Sequence, residues 1–330
     1  MIGAGLIKLR GDRCWRNLTC LYYHYETQPI PSPISRYLHF SPHWLLKFET
    51  AWNHLIELIV PWFSFGPRTA RHISGVLLVT FQIFLIISGN LSFLNYLTII
   101  PFLACFDDTF LQRFLPATLV RRAERAAQES QPSRINNAIA VALSMMVLWL
   151  SIPTLFNLAS GRQLMNYSFD PLDLVNTYGA FGTVGRERDE IIFEGTEDTV
   201  ITGDTKWKEY EFKAKPGAPN RSPPFVAPYQ PRIDWQIWFA AMASPAEYPW
   251  TFHFVWKLLH NDRGTLSLLA NNPFPDAPPH YIRARLYRYR FAPIGDKTWW
   301  IREPIGEWLP ALSTDDPHFA RLLRAMDWLD

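Results

Sequence analysis

Four polar side chains interrupt an otherwise apolar stretch at residues 44–64, and they are the first candidates for chemistry. Glu49, Asn53 and Glu57 are four residues apart, so a helix places them on one face, and His54 lies beside them. Carboxylates and imidazoles can transfer protons, and a polar stripe on an apolar helix avoids lipid. Two interpretations are open: a hydrogen-bond network that holds helices together, and a substrate or proton site.

Other chemical motifs are few. The sequence contains no GxSxG elbow, no phosphate-binding Walker loop, no HExxH and no GxGxxG. Its cysteines and histidines lack the spacing of zinc ligands, so we expect no metal site and no cofactor. The arginine-rich stretch 281–291 is like a nucleic-acid face, but ion pairs with nearby acidic strands explain it more simply. We therefore expect no nucleic-acid partner.

The elements that must position these groups are membrane helices, because the first half of the chain is poor in charge. Residues 1–160 carry 13 Lys or Arg and 8 Asp or Glu, whereas the rest carries 19 and 22. Residues 73–106 and 135–161 contain no charged side chain. A helix over the first run would measure about 51 Å against a hydrocarbon core of about 30 Å. The pair Gly89–Asn90 therefore predicts a turn between two spans.

Two further segments complete the predicted membrane domain. The length of the 44–64 segment predicts a further span, and the apolar segment Met1–Leu9 is expected to be the tail of a truncated first helix. We expect a multi-pass α-helical membrane domain of four to five spans over residues 1–161. A lipid bilayer is therefore one partner of the chain.

Positive charge predicts the orientation of these spans. The basic links at 66–72 and 108–135 should be cytoplasmic, which places residues 162–330 in a lumen or periplasm. Cys14 and Cys20 share a loop predicted to lie in the same oxidising compartment. A disulfide between them and two free thiols are both open interpretations.

The second half, residues 162–330, has the pattern of a soluble α+β domain. Its apolar alternation and turn residues predict four strands, at 190–196, 207–215, 265–270 and 281–291. Prolines open two predicted aromatic helices, at 232–242 and 249–261. We expect the helices to cover one face of a mainly antiparallel sheet.

One stripe of the first aromatic helix is predicted to face the core. Trp235, Trp238 and Met242 are spaced i, i+3, i+7, which places them on one side of a helix.

Five runs of sequence are long enough to compare with known families. They are GLIKLRGDRCWRNLTCLYYHYETQPIPSP, LVNTYGAFGTVGRERDEIIFEGT, WKEYEFKAKPG, PYQPRIDWQIWFAAM and NNPFPDAPPHYIRARLYRYRF. Together they resemble the lipase maturation factor family, from Met1 to about Leu309. The membrane half is also similar to the transmembrane region of vitamin K-dependent gamma-glutamyl carboxylase.

The resemblance implies a polytopic protein of the endoplasmic reticulum membrane with a lumenal C-terminal domain. Members of that family are needed for dimeric lipases such as lipoprotein lipase to fold and assemble. In a bacterium, the chain would lie in the cytoplasmic membrane with a periplasmic C-terminal domain. We therefore expect a non-enzymatic, membrane-anchored maturation factor, a chaperone whose partners are partly folded secreted proteins.

The residues predicted to contact clients lie in the aromatic region 229–256, in the loop 271–279 and on the strand that follows it. They are Asp234, Trp235, Trp238, Asn272, Pro273 and Arg283. Rigid aromatic side chains suit such a surface because they bind at a low cost in conformational entropy. Each of these residues could instead hold the fold, and that alternative is also open.

The rival hypothesis is an integral membrane enzyme related to the carboxylase. Its acid and base groups would be His24, Glu26, Glu49, His54 and Glu57. No spacing among them identifies a nucleophile, a cofactor site or a metal site.

Overall fold

The chain is largely helical up to residue 159. The computed structural model describes residues 1–129 and 133–329. The helices of this part are α1 (Ile2–Arg10), α2 (Arg13–Arg16), α3 (Leu21–Thr27), α4 (Ser35–His39), α5 (His43–His54), α6 (Arg68–Ser88), α7 (Leu94–Leu103), α8 (Asp108–Leu111), α9 (Ala117–Glu129) and α10 (Arg134–Ala159). Between α5 and α6 the backbone forms a π-helical turn, Leu55–Ile59, and a 3-10 helix, Val60–Phe65.

The rest of the chain mixes strands and helices. Its elements are β1 (Tyr167–Ser168), β2 (Asn176–Thr177), β3 (Arg188–Thr196), β4 (Lys208–Glu209), α11 (Arg232–Ala240), α12 (Trp250–Leu259), α13 (Arg263–Leu266), β5 (Tyr281–Phe291), β6 (Trp300–Leu312) and α14 (Pro317–Ala325).

Two helices of the described residues are long and apolar enough to cross a membrane, judged by length and composition. They are α6, with 21 residues, and α10, with 26 residues. The break between α6 and α7 lies at the predicted pair Gly89–Asn90. The other two predicted spans are not long α-helices. Residues 44–64 change from α- to π- to 3-10 geometry, and α7 has 10 residues, about 15 Å at ~1.5 Å per residue.

The chain divides into two compact units, each built from several segments. The first unit comprises Met1–Leu21, His43–Ile83 and Tyr96–Val184. The second unit comprises Tyr22–Pro42, Phe84–Asn95 and Gly185–Asp330. The division of the chain at residue 162 stays a prediction.

The second unit is built on a four-stranded antiparallel sheet with the strand order β4–β3–β5–β6. One face of the sheet packs against α11 and α12 through a core that includes Ile191, Phe193 and Ala284. The opposite face carries a second apolar cluster. Its buried members are Ile192, Tyr287, Tyr289, Phe291 and Trp300. The predicted α+β arrangement of this part of the chain, with antiparallel pairing, is confirmed.

One predicted strand is wrong, and the strand predicted at 207–215 is reduced to the two residues of β4. Residues 265–270 do not form a strand: α13 ends at Leu266, and Leu269 makes only an isolated bridge to Phe212. The long strand β6 and the helix α14 have no counterpart in the prediction. β6 contains Pro304 and Pro310, which an edge strand tolerates because one side of its backbone has no partner strand.

The predicted core stripe of α11 is also wrong. The helix buries Asp234, Ile237 and Ala240, whereas Met242 follows its end and is 60% exposed. The buried face of α11 is therefore offset by about one residue from the predicted face. The apolar pattern assigns Asp234 to the polar side of the helix, but its carboxylate is buried.

Candidate functional site

Two residues of the polar stripe, Asn53 and Glu57, form a buried cluster with a lysine from α1. Lys8 Nζ lies 2.6 Å from Glu57 Oε1 and donates to Asn53 Oδ1 at 3.1 Å. Asn53 Nδ2 donates to Glu57 Oε2 at 3.0 Å, and all three side chains are buried. The lysine charge offsets the glutamate charge, so the geometry supports the hydrogen-bond network that joins helices. Sequence reasoning missed Lys8, although it is the first charge in an apolar segment.

His54 contacts a different neighbour. Its Nε2 donates to the Trp15 carbonyl oxygen at 3.0 Å, and the two rings meet edge to face. Trp15 lies between Cys14 and Cys20, which form a disulfide in the structure with Cα atoms 4.8 Å apart. Glu49 is half-buried on α5. The histidine therefore packs against the disulfide loop.

The remaining acid and base candidates belong to the second unit. Glu26 is buried, and its Oε2 accepts a hydrogen bond from the Phe291 amide at 2.6 Å. His39 Nε2 lies 3.7 Å from the same oxygen. Burial raises the pKa of Glu26 and lowers the pKa of His39. His24 is half-buried on α3, beside the ring of Tyr25.

The five candidates of the enzyme hypothesis are thus divided between the two units. Glu49, His54 and Glu57 belong to the first unit, and His24 and Glu26 to the second. In the part of the chain that the structure describes, no group of three His, Cys, Asp or Glu side chains could hold a metal ion. This arrangement does not favour the enzyme hypothesis, because the buried Glu57 and Glu26 and the half-buried His54 all bond to protein groups.

A buried charge cluster in the second unit was missed by sequence reasoning. Arg188 Nε donates to Glu190 Oε1 at 2.8 Å, and Lys215 Nζ lies 2.9 Å from Glu190 Oε2. Arg188 also donates to the carbonyl oxygens of residues 26, 28 and 29, at the C-terminal end of α3 and just after it. All three charged side chains are nearly inaccessible to solvent. Side chains alternate between the two faces of a strand, so residues 188 and 190 lie on the same face. This spacing was the sequence signal that could have predicted the pair.

Asp234 holds α11 to the segment next to this cluster. Its Oδ1 accepts hydrogen bonds from the amides of Ala214 and Lys215 at 2.6 and 2.8 Å. Its Oδ2 is buried and has no hydrogen-bond partner among residues 1–129 and 133–329. Burial raises the pKa of Asp234, against the lowering effect of the two amide hydrogen bonds.

The two predicted tryptophans on α11 are half-buried. Trp238 Nε1 donates to the Thr27 carbonyl oxygen at 3.0 Å, and its ring packs at 4.9 Å from Phe239. Trp235 contacts the same two rings at centroid distances of 6.3 Å. These contacts join α11 to the end of α3 within the second unit.

The other three predicted client contacts also have partners in the protein. Arg283 makes an ion pair with Glu194 at 2.7 Å and stacks on Trp207 at 3.9 Å. Asn272 bonds the amide and the carbonyl of Phe274, whose side chain is fully buried. Pro273 is half-buried in that turn. The six candidates therefore have structural contacts, and their client-binding role stays a prediction.

A groove of about 740 Å³ lies elsewhere on the second unit, mostly within the region 229–256 that the sequence predicts to contact clients, although none of the six predicted residues lines it. It forms where the loop before α11 meets the start of α12. Its lining residues are Lys213, Tyr229, Gln230, Pro231, Arg232, Ile233, Gln236, Trp250 and Leu268. Tyr229 is 88% exposed and Leu268 is also exposed, although both are large and apolar. The groove thus presents unburied apolar surface beside two cationic side chains.

Comparisons with known proteins cover both halves of the chain. The family model described as lipase maturation factor transmembrane domain matches residues 1–113. The family model described as lipase maturation factor C-terminal domain matches residues 174–310. No solved structure matches the chain.

Full-length relatives agree with the family models. Lipase maturation factor 1 from Bos taurus is 48% identical over 335 residues, which cover 96% of this chain and 60% of the relative. The Homo sapiens protein of the same name is 47% identical, over 97% of this chain and 60% of the relative. Lipase maturation factor 2 from Xenopus laevis is 31% identical, over 98% and 60%. The chain spans about 60% of the length of these relatives. It belongs to the lipase maturation factor family.

Proposed function

We propose that this chain is a membrane-anchored maturation factor that assists the folding and assembly of secreted lipases. The observation that carries the proposal is the open groove of the second unit, together with the name of the relatives. Partly folded clients expose apolar segments, and an unburied apolar surface with rigid aromatic rings at its edge can bind them. Tyr229 and Trp250 supply the rings.

The chemistry of the groove indicates the kind of client segment. Lys213 and Arg232 place positive charge beside the apolar lining formed by Ile233 and Leu268. An extended segment with apolar side chains and a carboxylate would complement both features. A folded client presents mainly polar atoms on its surface, and these would not complement the apolar lining of the groove. Partly folded chains should therefore bind to the groove better than folded ones.

We also propose that the first unit anchors the protein as a multi-pass membrane domain. The second unit contains three chain segments, 22–42, 84–95 and 185–330, and segments of one compact unit lie on one side of a membrane. Each intervening segment must therefore leave that side and return to it. α6 and α10 are the natural return passes, and residues 43–65 and 94–106 are available for the outward passes. The basic links 66–72 and 108–135 then face the cytoplasm, in agreement with their charge.

In a eukaryotic cell this topology corresponds to the endoplasmic reticulum membrane with a lumenal second unit. The disulfide Cys14–Cys20 supports an oxidising compartment on the side of the loop that carries it. Clients would meet the groove as they enter the lumen. A tether in the membrane raises their effective concentration without any new contact.

The test is rescue of lipase secretion in cells that lack their own maturation factor. The double variant Tyr229→Ser/Leu268→Ser removes the exposed apolar lining, and we expect co-precipitated lipase and secreted activity to fall about tenfold, as for the loss of one hot spot. Ile301→Ser is the matched control, because Ile301 is an exposed apolar residue outside the groove.

Equal lipase secretion by the groove variant and the control would refute the groove as the client site. A measurement of the thermal midpoint keeps folding separate from binding: the groove variant should unfold within a few degrees of the unmodified chain. Failure of the unmodified chain to rescue any lipase would refute the lipase maturation role itself.

A further inference from the structure

The helix α9 has two chemically different faces, and within residues 1–129 and 133–329 no element covers either face. Its apolar positions, 119, 120, 123 and 127, follow the i, i+1, i+4, i+8 spacing of one helix face. Arg121 and Arg125 lie on the opposite face, and Arg122 lies at the border between the two faces. All residues of the helix are exposed except Val120, which is half-buried. In the described residues, no ion pair within 4 Å involves any of the three arginines.

A 13-residue helix of this kind needs a surface to cover its apolar face. Helices of about this length are marginal in water, and most of their stability in proteins comes from burial of one face. α9 begins after Phe114 and Leu115, of which Phe114 is 73% exposed. The covering surface must therefore accept a small aliphatic stripe and a preceding aromatic ring, and must complement positive charge.

The position of α9 in the chain identifies that surface. Four residues separate its last residue, Glu129, from Arg134, the first residue of α10. α10 is 26 residues long, apolar and not buried in the protein. A helix joined so closely to the end of a membrane span stays near the lipid headgroups, and aromatic residues are favoured at that depth.

We propose that α9 lies in the plane of the membrane on an anionic lipid surface. Leu119 and Ala123 would enter the boundary between headgroups and acyl chains, and the three arginines would contact anionic headgroups. A strong polar face with low overall hydrophobicity is the composition of helices that lie on bilayers. This inference rests on the proposed membrane anchoring through α10, and it adds a lipid contact on the side of the membrane opposite the second unit.

The experiment measures the depth of single cysteines in the full chain, reconstituted into vesicles. In a Cys105→Ala background, Leu119→Cys and Arg121→Cys are each labelled with an environment-sensitive fluorophore. The vesicles contain phosphatidylcholine with or without phosphatidylserine, and a lipid with a quencher just below the headgroup. We expect the fluorophore at 119 to be quenched at least threefold more than the one at 121 when phosphatidylserine is present.

Two further variants separate the outcomes. Leu148→Cys, on the exposed surface of α10, should be quenched by a lipid whose quencher lies at the bilayer centre; its failure would refute the anchoring rather than the role of α9. With anchoring intact, equal quenching at 119 and 121 overturns the proposal. Protection of residue 119 without quenching by lipid also overturns it, in favour of a protein partner or a second copy. Replacing the three arginines by glutamine should reduce quenching at 119 to its value in phosphatidylcholine alone.

Discussion

Arg188 shows how one buried side chain joins separate parts of the second unit. The last carbonyl groups of a helix have no partner within it, and α3 ends at Thr27. The Arg188 guanidinium donates to three carbonyl oxygens around this end and to Glu190, so that one planar group satisfies several orphan acceptors. A positive charge is also favourable at a helix C-terminus.

We predict that Arg188→Met destabilises the second unit by about 3–5 kcal/mol. The substitution leaves Glu190 with only Lys215 as a charged partner in a site closed to water, and breaking a buried pair costs about that much. The measurement is the midpoint of urea unfolding of the detergent-solubilised chain, followed by tryptophan fluorescence. Arg290→Met is the control, because Arg290 is exposed on the neighbouring strand β5 and should change stability by less than about 0.5 kcal/mol. Similar unfolding midpoints for both variants would show that the Arg188 cluster does not stabilise the second unit.

At the scale of elements, Asn90 joins the turn between α6 and α7 to other segments of the second unit by hydrogen bonds. The buried side chain donates to the carbonyls of Pro31 and Pro224 and accepts from the amides of Val226 and Ala227. One asparagine thus holds segments that lie 134 and 59 residues away along the chain. The loop 224–230 that it holds ends at the groove.

We predict that Asn90→Ala loosens this loop and lowers stability by about 4 kcal/mol, at roughly 1 kcal/mol for each of the four lost hydrogen bonds. Amide hydrogen exchange should rise at residues 224–230 and 84–95 before it rises in β3 and β5. Asn220→Ala, at an exposed position of the same unit, should leave exchange unchanged. Uniform acceleration over the whole unit would mean that Asn90 supports the global fold rather than this loop.

The sequence predicts the local elements well and the long-range contacts poorly. Apolar runs predict α6 and α10, and alternation predicts β3 and β5, because each signal lies within one segment. β6 was missed since its two prolines and a glycine read as a loop, and only its place at the edge of the sheet permits them. Lys8 and Glu57 are 49 residues apart, so no periodicity could join them. The groove depends on four separate segments, and no motif in the sequence marks it.

At the scale of the whole molecule, the proposed topology makes a sharp prediction for labelling. Single cysteines at Gln112 and Asn220, both exposed, are introduced into the Cys105→Ala background. In sealed microsomes, a maleimide that cannot cross membranes should label residue 112 and not residue 220. Detergent should then expose residue 220 to the same reagent. Labelling of both residues before detergent would contradict the multi-pass arrangement.

The three segments that form the second unit are synthesised at widely separated times. Residues 22–42 and 84–95 leave the ribosome before β3, the first strand of the sheet, exists; the delay from residue 95 to residue 188 is about 5–20 s at 5–20 residues per second. During that time the carbonyls at the end of α3 lack Arg188. The side chain of Asn90 can bond to Pro31 but not yet to residues 224–227. Because α10 is made within the same interval, the sheet can complete the unit only when the preceding helices have been inserted with the right orientation. The groove, which needs the loop held by Asn90, would then form last, so that a wrongly inserted chain would not offer it to clients.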